Sequence, residues 1–456
     1  MKTLILSLTT LLSLVFSNTV WAQIEENTDT TQSTIAKMYQ ELEVNRRFKI
    51  NGYIQAQFQR ADSAGESSFD GGNFPAGTDK RFAVRRGRIR MQYESPANEK
   101  KIITSLFVMQ FDITEKGVAI KDAFVKLTDP WMGWASVTAG MQNRPFGFEV
   151  PFSSNLRESP ERGRMSQIIF PGERDLGAMI TIQPPKSSRF NWLKLDAGMF
   201  NGNGARGPGL DGSDFDKYKD FIGHFSINKS SFSELVKFGF GVSYYYGGYR
   251  VDTVNVYSMG IDSAGMNAFT TENKKSDFYN VAVLDRGEVL RKYIGIDAQF
   301  SIDWKPGITT LRAEYIQGDQ PGFTSSSAPW SATTSPAALN TSDIYKRKFN
   351  GGYFYLLQNI LQSPVQLILK YDWYDPNTKI EGDAIGKKVT GNNFKAFSAT
   401  DLKYETWGFG LAYRWDSDFK ITAYYDLVKN ETSENLVNYQ KDLHDNVFTL
   451  RFQMKF

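Results

Sequence analysis

The sequence predicts an all-β chain, a transmembrane antiparallel β-barrel of sixteen strands with an inward-folded third loop. Three observations predict it. Apolar and polar residues alternate with period two in one segment after another from Phe48 to Phe456, the pattern of strands with one apolar and one polar face. Long and short connections alternate, as they do in bacterial outer-membrane barrels. The composition combines 14% aromatic residues and 38 glycines with no cysteine, which excludes a disulfide framework and a thiolate metal site.

Residues 1–22 read as a secretory signal peptide. Lys2 precedes the apolar run LILSLTTLLSLVF, and Val20-Trp21-Ala22 supplies the cleavage site. The run is shorter than the roughly 20 residues a spanning helix needs. Residues 23–47 are a polar periplasmic lead-in, with Ile35, Met38 and Leu42 at helical spacing after Ser33-Thr34. Residues 48–456 are the barrel. The net charge of +3, or +2 without Lys2, is too small to argue for nucleic acid.

The first strand, FKINGYIQAQFQ, places Phe48, Ile50, Gly52, Ile54, Ala56 and Phe58 on one face and Lys49, Asn51, Tyr53, Gln55, Gln57 and Gln59 on the other. The second is RFAVRRGRIRMQYE. Further strands are expected over 100–112, 118–128, 133–143, 175–184, 190–200 and 219–229. VKFGFGVSYY follows, then 287–304, 308–318, 347–358 and 364–374. TWGFGLAYRW, FKITAYYDL and VFTLRFQMKF complete the set. Long polar connections fall near 60–80, 144–174, 201–218, 249–286, 319–346, 375–402 and 430–444. Short ones include SPANE, DPWMG, KSSR, SSFS, KPG, QSP and DSD. Only 113–117 is short where the scheme wants a long one. Trp131, Trp134, Trp192, Trp304, Trp407 and Trp415 stand near the turns, where amphipathic rings meet a lipid–water boundary. In lipid every backbone group must be paired, so the sheet must close. Phe456 then ends the closing strand, where insertion machinery would recognise it.

The second strand carries the chemistry. Alternation sends Ala83, Gly87, Ile89, Met91 and Tyr93 outward and Arg86, Arg88 and Arg90 into the lumen, in steps of about 6.5–7 Å. Outward placement would cost about 2–4 kcal/mol per arginine at mid-membrane. Two readings stay open: a donor ladder that draws anions through, or arginines paired with acids on the facing wall or loop. The stretch QNRPFGFEVPFSSNLRESPERGRMSQIIFPGERDLG is the inward third loop and brings Arg144, Arg157, Arg162 and Arg164. Arg312, Lys370 and Arg414 share the lumen parity. These ten residues are the candidate anion path.

Gly52-Tyr53, RFAVRRGRIRMQY, GMQNRPFGFE, GERDLGAMI and GMFNGNG occur in this order across nearly all of the mature chain. In them the sequence resembles the phosphate-selective porin O and P family of Gram-negative outer membranes. The resemblance implies a homotrimer of sixteen-stranded barrels, an arginine-lined path carried by Arg86, Arg88 and Arg90, and an inward third loop. The expected function is passive diffusion of small anionic solutes, phosphate or polyphosphate first, without chemistry or cofactor. The expected partners are those solutes, outer-membrane lipid and lipopolysaccharide, and the barrel-assembly machinery. A general or oligosaccharide porin and a surface adhesion barrel are the alternatives.

Three other signals carry no site. GNGARG (202–207) lacks the helix a nucleotide loop requires. Asp211, Asp214 and Asp216 read as solvated loop acids rather than calcium ligands. His224 and His444 are far apart in sequence, with no positioned serine for a hydrolase.

Overall fold

The computed structural model describes residues 38, 44, 46–204, 214, 216–231, 234–250, 255–271, 288–328 and 343–456. The signal segment, most of the lead-in, residues 205–207 of GNGARG, Asp211 and parts of three long loops lie outside these. Two units are distinguished, Met1–Arg47 and Phe48–Phe456. In the first, residues 38, 44, 46 and 47 are helical.

In the second unit, sixteen strands among the described residues form a closed antiparallel wall. They are β1 (Phe48–Ala61), β2 (Lys80–Glu94), β3 (Ser105–Thr114), β4 (Gly117–Thr128), β5 (Ala135–Asn143), β6 (Arg174–Ile182), β7 (Leu193–Phe200), β8 (Asp220–Ser230), β9 (Val236–Arg250), β12 (Glu288–Trp304), β13 (Gly307–Gly322), β14 (Ile344–Asn359), β15 (Val365–Asp375), β17 (Tyr404–Arg414), β18 (Phe419–Asn430) and β19 (Val447–Lys455). Each pairs with its neighbours, and β19 returns to β1 with Tyr53 opposite Lys455. Gly52 and Phe456 exchange both backbone hydrogen bonds at 3.0 Å. A side chain at Gly52 would collide with the Phe456 ring, so this glycine lets the last residue lie flat on the seam.

Closure satisfies the wall's backbone, and parity then sorts the side chains. Ile54, Phe240, Ile296, Phe409 and Phe452 are exposed on the outer face, while their neighbours Gln55, Gly241, Asp297, Gly408 and Arg451 are buried inside. Trp131, Trp304, Trp407 and Trp415 are exposed at the wall's ends; Trp134 and Trp192 are half-buried.

The structure departs from strict alternation in the second strand. Gln55 faces Arg86 and Ala56 faces Val84, so Arg85 is an extra residue, a β-bulge. Beyond it the parity inverts. Ala83, expected outside, stands opposite lumenal Gln57, and Phe82 takes the outer face at 85% exposure. A second bulge lies in β4, where Lys121 is the extra residue between Ile120 and Asp122. Two expected boundaries also move. Residues 100–104 form a turn held by an Ala97–Ile103 bridge, so β3 starts at Ser105. The long connections near 249–286 and 375–402 contain short strands: β10 (Val256–Ile261), β11 (Asn267–Thr271) and β16 (Phe394–Lys395). β10 pairs in parallel with the start of β14, and β11 pairs with β10 and β16. Their core is Tyr257, Phe269, Tyr345, Ile385, Phe397 and Leu402.

The outer face makes a direct prediction. Phe452→Arg puts a guanidinium on the apolar surface and should destabilise the barrel by about 2–4 kcal/mol. Heat-modifiable migration on a gel should show a reduced folded fraction; migration equal to the parent would mean the faces are reversed.

Candidate functional site

The connection from 144 to 173 enters the barrel and ends in a helix, α1 (Arg164–Ile169). Its two ends are pinned together by apolar packing. Phe146 and Phe170 lie 4.9 Å apart between ring centres and pack edge-on against the inward rings of Tyr245 and Tyr293. Between those ends the chain runs from wall to wall. The Phe148 and Glu149 N–H groups donate to Glu314 on β13 at 3.2 and 3.0 Å. Gly147, at φ +60°, permits this approach, because a Cβ there would overlap the Glu314 carboxylate. Farther along, Ser154 meets Tyr53 of β1 at 2.6 Å, and Gln453 of β19 donates to the Asn155 carbonyl at 2.9 Å. The return leg joins Ser159 to Tyr355 of β14 at 2.6 Å and donates the Arg164 N–H to Asp372 of β15 at 3.2 Å.

Charge completes the fastening. Glu161 is buried and receives three guanidinium groups: Arg85 at 2.8 Å, Arg86 at 2.7 Å and Arg451 at 2.9 Å. Burial alone would raise its carboxyl, but Arg85, Arg86 and Arg451 outweigh that and hold it well below the usual carboxylate range. Glu173, at the far end of the loop, is held low in the same way against burial by Arg162 and Arg174. Glu158 takes a bidentate pair from Arg312 at 2.7 and 3.1 Å, and that guanidinium also covers the Phe148 and Phe152 rings.

Nearly all of the candidate path is therefore ion-paired. Arg86 pairs with Glu161, Arg88 with Asp112 at 3.5 Å and Arg90 with Asp122 at 3.8 Å. Arg144 pairs with Asp175 at 3.4 Å, Arg162 with Glu173, Arg164 with Asp445 at 3.9 Å and Lys370 with Asp372 at 2.8 Å. Arg164 also stacks over Tyr404 at 3.6 Å. Two residues differ. Arg414 is exposed at the short-turn end of the lumen face, opposite Lys420, with no ion pair among the described residues. Arg157 is 3% exposed, and none of its guanidinium nitrogens has a hydrogen-bond partner among the described residues. Lys420, itself in the field of Glu158, donates to the Arg157 carbonyl at 3.0 Å, and Arg162 and Glu149 are also near. Below the loop the lumen opens into a space of about 490 Å³ reached by Phe148, Asn228, Lys237, Gln299, Thr310 and Arg312.

Sequence reading misses Arg85 and Lys121, because plain alternation aims both at lipid. The signal was there: adjacent charges, Arg85-Arg86 and Lys121-Asp122, in strands that face hydrocarbon. A charge on that face is costly, so such a doublet implies a bulge that turns both residues inward.

No protein-family model matches the chain, and no curated protein sequence matches it. Solved structures do. The outer membrane channel DcaP of Acinetobacter baumannii superposes with a TM-score of 0.50 at 11% identity, over 90% of this chain and 97% of that one. OmpT of Vibrio cholerae, an outer membrane protein in trimer form, gives 0.47 at 7% identity over 90% and 99%. Salmonella typhi OmpF gives 0.44 at 10% identity over 90% and 97%. At such identities the likeness to DcaP speaks for the fold.

Two predictions concern the loop. Glu161→Gln removes the shared anion of Arg86 and Arg451, which are buried, and of Arg85. Breaking a buried pair costs about 3–5 kcal/mol, so the folded band should melt at a lower temperature on a gel. A transition matching the parent would show that the three guanidinium groups do not depend on this carboxylate. The pH response has a definite sign. A carboxyl held low when folded stabilises the loop fully above its unfolded value, about 4.3, and loses that effect as pH falls through its lower folded value. The difference in melting temperature between the parent and Glu161→Gln should therefore stay constant from pH 7 to 5 and shrink only well below about 4.3. A difference that shrinks between pH 6 and 5 would contradict this anchoring.

Proposed function

We propose that this chain is an outer-membrane porin of a Gram-negative bacterium through which small anionic solutes, phosphate-like ones first, diffuse passively. The signal-like residues 1–22 would be removed on export, and the barrel would assemble as a homotrimer. The closed wall with its apolar outside and charged inside supports the channel class, as does the fold it shares with a protein described as an outer membrane channel. Anion preference rests on one observation, the buried Arg157 guanidinium without a hydrogen-bond partner among the described residues.

The reasoning is electrostatic. A buried cation without a partner is expensive, so the Arg157 site favours whatever anion approaches it. The ladder arginines already touch Glu161, Asp112 and Asp122, and pairing weakens their field, although Glu161 also serves Arg85 and Arg451 and Asp122 also serves Arg174. Arg414, with no ion pair among the described residues, adds positive charge on the same lumen face. Passage needs attraction weak enough to release the solute, which one or two such groups provide better than a fully unpaired ladder. The matched ladder also favours a second reading, a general porin with little selectivity.

Planar-bilayer recordings in a salt gradient separate the two. Arg157→Gln should move the reversal potential toward cations, more at 0.1 M than at 1 M, because the Debye length falls from about 10 Å to about 3 Å. The variant strands no carboxylate, so its thermal stability should match or exceed the parent's. An unchanged reversal potential would leave the general porin.

A further inference from the structure

The outer face of the wall carries charge in several places among the described residues, Arg60 opposite Lys80 and Glu405 opposite Lys429 among them, and one charged row is roofed into a groove. Lys292 of β12 stands opposite Asp319 of β13, and Asp319 stands opposite Lys348 of β14. All three share the outward parity of Ile294, Ile296 and Phe354, which are exposed, while Arg291, Arg347 and Phe349 beside them are buried inside. Lys379, on the connection after β15, reaches the same place. β10 leans over the row and turns it into a groove of about 630 Å³, with Met259 and Ile261 on its apolar side. Asp319 forms an ion pair with neither flanking lysine among the described residues. Lys292 instead rests over the Tyr246 ring at 5.3 Å.

The height of the groove is legible from the aromatic belt. Tyr315, Gly352 and Trp373 form one cross-strand row. Trp373 stacks with Phe354 and Tyr371 at 6.0 and 5.8 Å, and Tyr371 touches Trp407 at 4.7 Å. Such a cluster marks the interface between hydrocarbon and headgroups. Lys348 is four residues nearer the long loops than Gly352. That is about 13 Å along the strand, or about 10 Å of height at the usual tilt of 35–45°. The lysines therefore stand at headgroup level on the long-loop side, directly above an apolar wall.

We propose that this groove docks the phosphorylated headgroup of an outer-leaflet glycolipid of the lipid A type. The phosphates meet Lys292, Lys348 and Lys379, and the acyl chains descend over Ile294, Ile296 and Phe354. Cations at headgroup depth attract anionic lipids, and the apolar wall below gives the chains a surface that free phosphate cannot use. The proposal rests on the outer-membrane reading.

The test is native mass spectrometry of the full chain in detergent. It is run with diphosphorylated lipid A, its dephosphorylated form, phosphatidylethanolamine and inorganic phosphate. Diphosphorylated lipid A should be retained, and the other three should not. The triple variant Lys292→Gln, Lys348→Gln, Lys379→Gln should lose affinity on the order of 100-fold, from three lysines of ordinary surface worth. The matching triple Lys→Arg variant should bind like the parent, and heat-modifiable migration checks that each is folded. If the triple Gln variant fails to fold, Lys348→Gln alone, with about a five-fold loss expected, carries the same decision. Equal retention by parent and Gln variant overturns the site. Equal retention of the dephosphorylated lipid, or binding of inorganic phosphate alone, overturns the assigned ligand. Bilayer currents on the same samples keep the readings apart: a parent without current defeats the porin reading, and loss of lipid with current intact concerns only the groove.

Discussion

Everything in this barrel follows from the need to pair each backbone N–H and C=O in a wall surrounded by hydrocarbon. Pairing is complete only if the sheet closes, and β19 closes it on β1 through the Gly52–Phe456 exchange. Closure divides every strand into an outside and an inside. Charge is then expelled from the outside, so the lumen collects nearly all of it. Part of the lumen wall neutralises itself, as in Lys370–Asp372 on one strand and Arg88–Asp112 between two. Arg85, Arg86, Arg451 and Arg312 need acids that arrive from elsewhere.

The inward loop supplies them. Glu158 and Glu161 cross the lumen to Arg312 and to Arg85, Arg86 and Arg451, while Glu173 ties the loop to itself through Arg162 and to the adjoining Arg174. In return the wall gives Glu314 and Asp372 to the loop's backbone N–H groups. The loop is thus a crossbeam as much as a constriction. Its ends are fixed by the Phe146–Phe170 packing, its middle by ions, and Gly147 allows the bend against β13. What selectivity remains is set by the charges that this exchange leaves over: the Arg157 guanidinium, and the excess of three guanidinium groups over the single Glu161 carboxylate.

Much of this was legible beforehand. Period-two alternation located the wall strands and assigned their faces, because lipid punishes any slip of register. Phe240, Phe409 and Phe452 outside, and Gln55, Asp297 and Arg451 inside, follow from parity alone. The long, charged 144–174 segment announced the inward loop. Parity failed where a bulge interrupts it, so Arg85, Ala83 and Lys121 were misplaced. It was silent on pairing, since Glu161 and Arg451 are 290 residues apart in sequence. Strands β10, β11 and β16 were also hidden. They pair with one another and with the top of β14, outside the wall's repeating order, so no two-face pattern betrays them.

The two kinds of charge in the molecule obey one rule at two depths. Inside, a cation is tolerated where a loop acid or a passing anion can reach it. Outside, a cation is tolerated at or beyond the aromatic belt, as with Lys429 opposite Glu405 in the row of Trp373, where headgroups replace hydrocarbon. Ile294 and Ile296 below Lys292, and Phe354 below Lys348, mark where that permission ends. The same strands, β12 to β14, thus carry Asp297, Arg312 and Glu314 on the lumen side at membrane depth and Lys292 and Lys348 on the outer side only near their long-loop ends. A lysine moved well past the belt row, to Phe300 or Leu356, would enter hydrocarbon with no partner. The outer charges are therefore placed by the membrane, and the inner ones by the loop that crosses between them.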